Sequence, residues 1–305
     1  MTAPTPTPAP TRGVIHDLGY ARYAGERRQP STLWRVIARN QLAYTWKTWW
    51  RWKPAILGAL ITTVTVGALL YFSRDKMFDA LRSNGAAARL IDGLIPLSFK
   101  FFRMAAFIVT MTVASTSIAQ DRSTGAFTFY FSRPVRPIDY VIGKLVAMTA
   151  VMASLLMAGP VVLTLFRIGL ADTPTEALHL LPLVGNAILV GAVASLIYAA
   201  APMAMSALIG QRWPALGAWA GYWMFGIAMV AFGAYAAWPP LIVIDPGVAI
   251  EVLAIKLWHL DMTGPGAEAG LGAALISLTL HLTVAVGLIY ASVRRHALAS
   301  VGASS

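Results

Sequence analysis

Thirteen carboxylates, five histidines and no cysteine are what this 305-residue chain offers for acid–base, nucleophilic or metal chemistry. Without thiols there is neither a disulfide framework nor a thiolate metal site. His16, His179, His259, His281 and His296 are scattered without the spacing of paired metal ligands. The chain has no phosphate-cradling G-x-x-x-x-G-K-[ST] loop, since Gly143-Lys144 lacks the earlier glycine and runs on into Leu145. No Ser/His/Asp set can be assigned to one face. These residues point to no catalytic constellation, no metal and no cofactor in this chain. Energy for any uphill work would have to come from a separate polypeptide.

The densest group of reactive and interface-forming side chains runs from Gln120 to Tyr140. Asp121 and Arg122 open it, Phe127, Phe129, Tyr130 and Phe131 fill its centre, and Arg133-Pro134-Val135-Arg136-Pro137 turns it. Four aromatic residues so close together are costly to leave in water and call for an interface or a partner groove. A second, smaller group is Lys100 and Arg103, three residues apart and therefore on one helix face. They suit either snorkelling to headgroups or attracting an anionic lipid or polymer along a substrate path.

The elements that must position these groups are membrane helices. Hydrophobic residues make up 57% of the chain and charged ones only 12%, too little charge to cover a soluble domain of this size. Apolar windows predict an all-α protein with six spans, Pro54–Ser73, Leu97–Ala119, Val141–Phe166, Leu180–Ile209, Ala215–Trp238 and Leu271–Val293. Pro182 and Pro202 predict kinks or a delayed start in the fourth. All thirteen carboxylates then fall in loops or at span ends. His281 lies within the sixth span, as a packing residue or a mark on a proton path.

With the N-terminus inside, 16 of the 24 basic residues lie on the cytoplasmic side, which predicts that both ends are cytoplasmic. The net charge of +11 is thereby explained without nucleic acid. Residues 1–30 read as a disordered tail, 31–53 as an amphipathic interfacial helix, 54–293 as the six-span domain and 294–305 as a second tail. In the interfacial helix Leu33, Ile37 and Tyr44 share a side opposite Arg35 and Arg39, with Ser31 as its N-cap. Trp46, Trp49, Trp50 and Trp52 among Lys47, Arg51 and Lys53 suit the headgroup level, as an anchor or as a partner-bearing elbow. Val248–Leu260, too short to cross, predicts a segment on or dipping into the outer leaflet. Gly217 and Gly221 form a small-xxx-small pair that permits close helix approach.

The order of these features resembles the type-2 ABC exporter permeases. Asp121 stands where that family commonly has Glu, and Gly125 matches its glycine. Phe127 replaces the more usual Leu. Arg133-Pro134-Val135-Arg136 matches its turn, and Gly143-Lys144 matches the opening of its next helix. The resemblance implies a short coupling helix seated in a cleft of a separate ATP-binding-cassette ATPase, which would bind ATP and Mg. Asp121, Arg122, Gly125, Phe127, Arg133, Pro134 and Arg136 would make that contact. It also implies a homodimer with the fifth span, and so Gly217 and Gly221, near its axis, in a bacterial cytoplasmic (inner) membrane. An ion-coupled carrier, a polytopic membrane enzyme and a membrane scaffold are the competing readings.

Overall fold

Inside a bilayer every backbone N–H and C=O must be satisfied without water, and helices do this within a single segment. The computed structural model describes residues 33–48, 50, 52–73, 85–132, 135–260 and 268–302, and among these there is no strand. The elements in chain order are α1 (Leu33–Lys47), α2 (Lys53–Phe72), α3 (Gly85–Val109), a π-helical turn (Thr110–Ala114), α4 (Ser117–Ser123) and α5 (Ala126–Phe131). They continue with α6 (Pro137–Leu156), α7 (Ala158–Gly169), α8 (Pro174–Leu180), α9 (Pro182–Ile209) and α10 (Arg212–Tyr235). The last are α11 (Pro239–Ile242), α12 (Pro246–Leu257) and α13 (Leu271–Gly302).

Six stretches are long and apolar enough to cross a membrane. Span 1 is Lys53–Phe72, span 2 Gly93–Ser123, span 3 Pro137–Gly169, span 4 Pro174–Ile209, span 5 Arg212–Tyr235 and span 6 Leu271–Leu298. The fold is all-α with six spans, as the hydropathy pattern predicts. α9 is its centre, packing against α6, α7, α10, α12 and α13. Its buried face is built from small residues, among them Ala194, Ala199, Ala200, Ala204 and Ala207, which let neighbouring backbones come close. α2 and α10 lie at the edge and bury few side chains, leaving Leu57, Leu60, Ile61, Met224 and Phe225 facing outward.

Three spans are interrupted in ways that hydropathy does not register. Span 2 widens into the π-helical turn, where Ser115 N–H donates to Thr110 O at 2.8 Å, and restarts as α4. A restarted helix has free N–H groups at its first turn. Ser206 of α9 satisfies two of them, its Oγ accepting from Ile118 N–H at 3.1 Å and Ala119 N–H at 2.9 Å. Trp219 of α10 pins the widened turn, donating from Nε1 to Thr110 Oγ1 at 2.9 Å. Span 3 breaks at Met157. Pro182 begins α9 after the short α8, so span 4 is divided there, while Pro202 sits inside an unbroken helix.

One expectation is narrowed and one changes. Of the two placements expected for the Val248–Leu260 segment, on the outer leaflet or dipping into it, the packing fits the second: α12 enters the bundle, burying Ala249, Ile250, Val252, Leu253, Ala254 and Ile255 against α3, α9 and α13. Both ends of α12 are tied, Asp245 accepting from Gly247 and Val248 N–H, and Asn186 of α9 donating to Leu257 O at 2.7 Å. On α1 the buried positions are Ile37, Ala38, Gln41 and Thr45, while Tyr44 is exposed. The buried face thus includes two polar residues, Gln41 and Thr45, which apolar periodicity overlooks. The tail 1–30, Ser31, Trp49 and Arg51 lie outside the described residues.

Ser206→Ala leaves the Ile118 and Ala119 N–H groups buried without an acceptor. Its unfolding free energy in detergent is expected to fall by about 2 kcal/mol, measurable by denaturant titration against the wild type.

Candidate functional site

The chemistry of the sequence gathers where α1, span 2 and span 3 meet. α1 lies directly on span 3 because Gly143 has no side chain: a Cβ there would stand 2.7 Å from Trp34 O and 2.8 Å from Ile37 Cβ. One residue on, Lys144 has only 5% of its side chain exposed. Removing an ammonium from water costs several kcal/mol unless it is paired and hydrogen-bonded. Lys144 has both kinds of partner. Nζ donates to Gln41 Oε1 of α1 at 2.6 Å and pairs with Asp121 Oδ2 of α4 at 2.8 Å. The same Asp121 oxygen accepts from Tyr140 OH at 2.6 Å, and Lys144 Nζ lies 5.6 Å from the Tyr140 ring centroid. Gln41 is held in turn by Thr45, one helical turn along α1. Gly143 admits α1, and Lys144 fastens it to the ends of spans 2 and 3.

The segment after Asp121 is not a plain connector. α4 ends at Ser123, Gly125 takes a left-handed φ of 71°, and α5 follows. Nothing lies within 4 Å of the space a Gly125 Cβ would fill, so the glycine is there for its backbone angle. Phe127 anchors α5: it is 6% exposed, with ring centroids 5.3 Å from Tyr140, 5.5 Å from Phe131 and 6.2 Å from His296 of α13. Burial, and after it the negative charge of Asp121, push the Tyr130 phenol above its ordinary value, and a hydrogen bond with Asn40 acts against them. Arg122 faces inward, donating from NH1 to Ala207 O at 2.8 Å near the end of α9, and Ser292 of α13 donates to the same oxygen.

The residues singled out from sequence therefore fall into two groups. Asp121, Arg122 and Phe127 hold the short helices to spans 3, 4 and 6. Gly125 and Arg136 are exposed, together with Ser123, Thr124, Thr128, Ser132 and Phe129, the last at 58%. Arg133 and Pro134 lie outside the described residues. Gly217 and Gly221 both lie on an open face of α10, with nothing within 4 Å of either missing Cβ.

At the other end of span 2, Lys100 is exposed while Arg103 turns into the bundle instead of reaching out toward headgroups. Arg103 pairs with Asp245 at 3.4 Å and lies 5.5 Å from the Trp223 ring centroid. It fills room left by the missing side chain of Gly247. Asp245 is thus both the cap of α12 and a counter-ion, a role that sequence reading did not assign. The cue was Asp245-Pro246-Gly247, a helix-starting triplet opening an apolar run. Ser206 and Gln41 were missed too, because nothing marks one serine or glutamine in a helix as the partner of a distant segment. Among the described residues no group of three or more acidic or histidine side chains could hold a metal ion.

A family model described as ABC-2 family transporter protein matches residues 35–298, and the chain belongs to that family. No curated protein matches it. Membership makes the chain a multi-pass transmembrane subunit of an ABC transporter, a class that works with ATP-binding-cassette partners.

Lys144→Met removes the positive member of a buried pair and leaves Asp121 facing an apolar side chain. A loss of about 3 kcal/mol is expected in detergent unfolding. Adding Asp121→Leu should recover part of it, so that a double-mutant cycle returns a non-zero coupling energy.

Proposed function

We propose that this chain is the translocation subunit of an ATP-driven exporter, paired with a second copy and moved by a separate ATPase that binds ATP and Mg. The observation that carries this reading is the Lys144 junction. One buried ammonium joins α1, the end of span 2 and the start of span 3 beside an exposed short helix. A force applied to α5 reaches Tyr140 through Phe127, and from there Asp121 and Lys144. In this reading α5 is the coupling helix and α1 the elbow. Both lie on the cytoplasmic side of a bacterial inner membrane, the side to which the excess of Lys and Arg assigns them.

The docking surface is made by the exposed group Thr124, Gly125, Phe129 and Arg136, to which the resemblance adds Arg133 and Pro134. Asp121, Arg122 and Phe127 pass the motion inward. The second copy meets this one along α10 at Gly217 and Gly221, where the missing side chains leave the backbone open to a neighbour. Lys100, exposed near the far end of span 2, is the charge we assign to the substrate path. Arg103 positions that end of span 2 through Asp245. The outward direction of transport rests on the resemblance of the Asp121–Lys144 motif to exporter permeases.

Two measurements test this reading. Phe129→Ser with Arg136→Glu is expected to cut co-purification of the co-expressed ATP-binding-cassette subunit by about tenfold, the effect of losing one interface anchor. The unfolding temperature should stay that of the wild type, and undiminished co-purification would exclude α5 as the docking element. Gly217→Leu with Gly221→Leu should shift the purified chain from dimer to monomer in light scattering. Since a Cβ at either position meets nothing within 4 Å, the protomer itself should remain as stable as before.

A further inference from the structure

Between α1 and the restart of span 2 lies a cavity of about 140 Å³, well above the roughly 10–15 Å³ that admits one water molecule. Every side chain lining it except Val113 is polar. Its charged residues are Lys144 and Asp121, which cancel, so neither a lone anion nor a lone cation gains from entering. Hydrogen-bonding capacity does not cancel in the same way. An ammonium has three N–H donors, and Lys144 gives one to Gln41 and one to Asp121. Asp121 receives Lys144 and Tyr140 on Oδ2, which leaves Oδ1. Ser117 lines the cavity with a buried Oγ that has no partner among the described residues.

A donor, an acceptor and a group that is both thus stand around one small space, with the Tyr44 and Tyr130 rings on its wall. A hydroxyl both donates and accepts, so a molecule bearing several hydroxyls can satisfy all three without bringing net charge. We infer that this cavity binds an uncharged polyhydroxylated group, glycerol- or sugar-like, supplied as the headgroup of a membrane lipid or as a free solute. Trp46 and Trp50, exposed on and just after α1, suit the headgroup level at which such a lipid presents itself. Binding here does not depend on the ATPase reading. An occupant would touch Lys144, Gln41 and Asp121, and so fill the junction between α1 and spans 2 and 3.

Native mass spectrometry of the full-length chain tests this, using micelles with equal amounts of monoglucosyl-diacylglycerol, phosphatidic acid and phosphatidylcholine. The glucosyl lipid is expected to be retained about tenfold over either phospholipid, a preference that one or two hydrogen bonds supply. Asn40→Ala, at an exposed position on α1, and Ser117→Val should each reduce that preference by about threefold or more. Circular dichroism checks the fold of both, and if one variant misfolds the other carries the test. In a parallel arm, methyl glucoside should raise the unfolding temperature of the wild type more than that of Ser117→Val. A response in that arm alone assigns the free solute as the source. Equal retention of all three lipids with no response to methyl glucoside overturns the inference and leaves a cavity that holds water only. A glucosyl-lipid preference that is present in the wild type and unchanged in both variants overturns it as well, placing the lipid elsewhere.

Discussion

An ammonium group buried at the end of a membrane bundle must be given partners, and this requirement organises the protein around Lys144. Its two partners come from different elements, Gln41 on α1 and Asp121 on α4. α1 therefore cannot be a detached anchor that floats at the bilayer surface. It is fastened to span 3 by a charge-assisted hydrogen bond and by the notch at Gly143. The aromatic group around Phe127 closes over the same point, through Tyr140.

Span 2 is gripped at both ends by charge. Asp121 pairs with Lys144 at one end, and Arg103 with Asp245 at the other. Eighteen residues separate Arg103 from Asp121, or about 27 Å of helix, with the π-helical turn between them. Each pair ties span 2 to a different partner, span 3 at one end and the intruding α12 at the other. The irregular stretch between is held by two hydrogen bonds that Ser206 accepts and one that Trp219 donates. Strong ties at the ends and lighter ones in the middle suit a helix that bends at its centre while its ends stay attached.

The spans were legible because a run of apolar residues is a strong and local signal, and the observed helices lie close to the predicted ones. The breaks in spans 2 and 3 were not, since a π-helical turn at Thr110 or a step at Met157 leaves hydropathy unchanged. Pro182 could be read as a boundary because its effect is covalent, whereas Pro202 is absorbed inside α9. At the site, Asp121, Gly143 and Lys144 stood out through the resemblance to the exporter permeases, but their partners did not. Gln41 lies 103 residues from Lys144, and Asp245 lies 142 from Arg103. A pairing that depends on how helices stack leaves no periodic trace in either segment. The segment 120–140 likewise read as one surface, although packing divides it into inward anchors and outward side chains.

The Arg103–Asp245 pair also bears on how the chain is made. Arg103 enters the membrane with span 2, while its counter-ion has yet to be synthesised. At the usual pace of translation the ribosome needs roughly seven to thirty seconds to add those 142 residues. For that interval the arginine is without the carboxylate that pairs with it in the finished fold. The Arg103–Asp245 pair can therefore close only after spans 3, 4 and 5 have been made. A short helix that crosses nothing thus supplies the counter-ion that completes span 2.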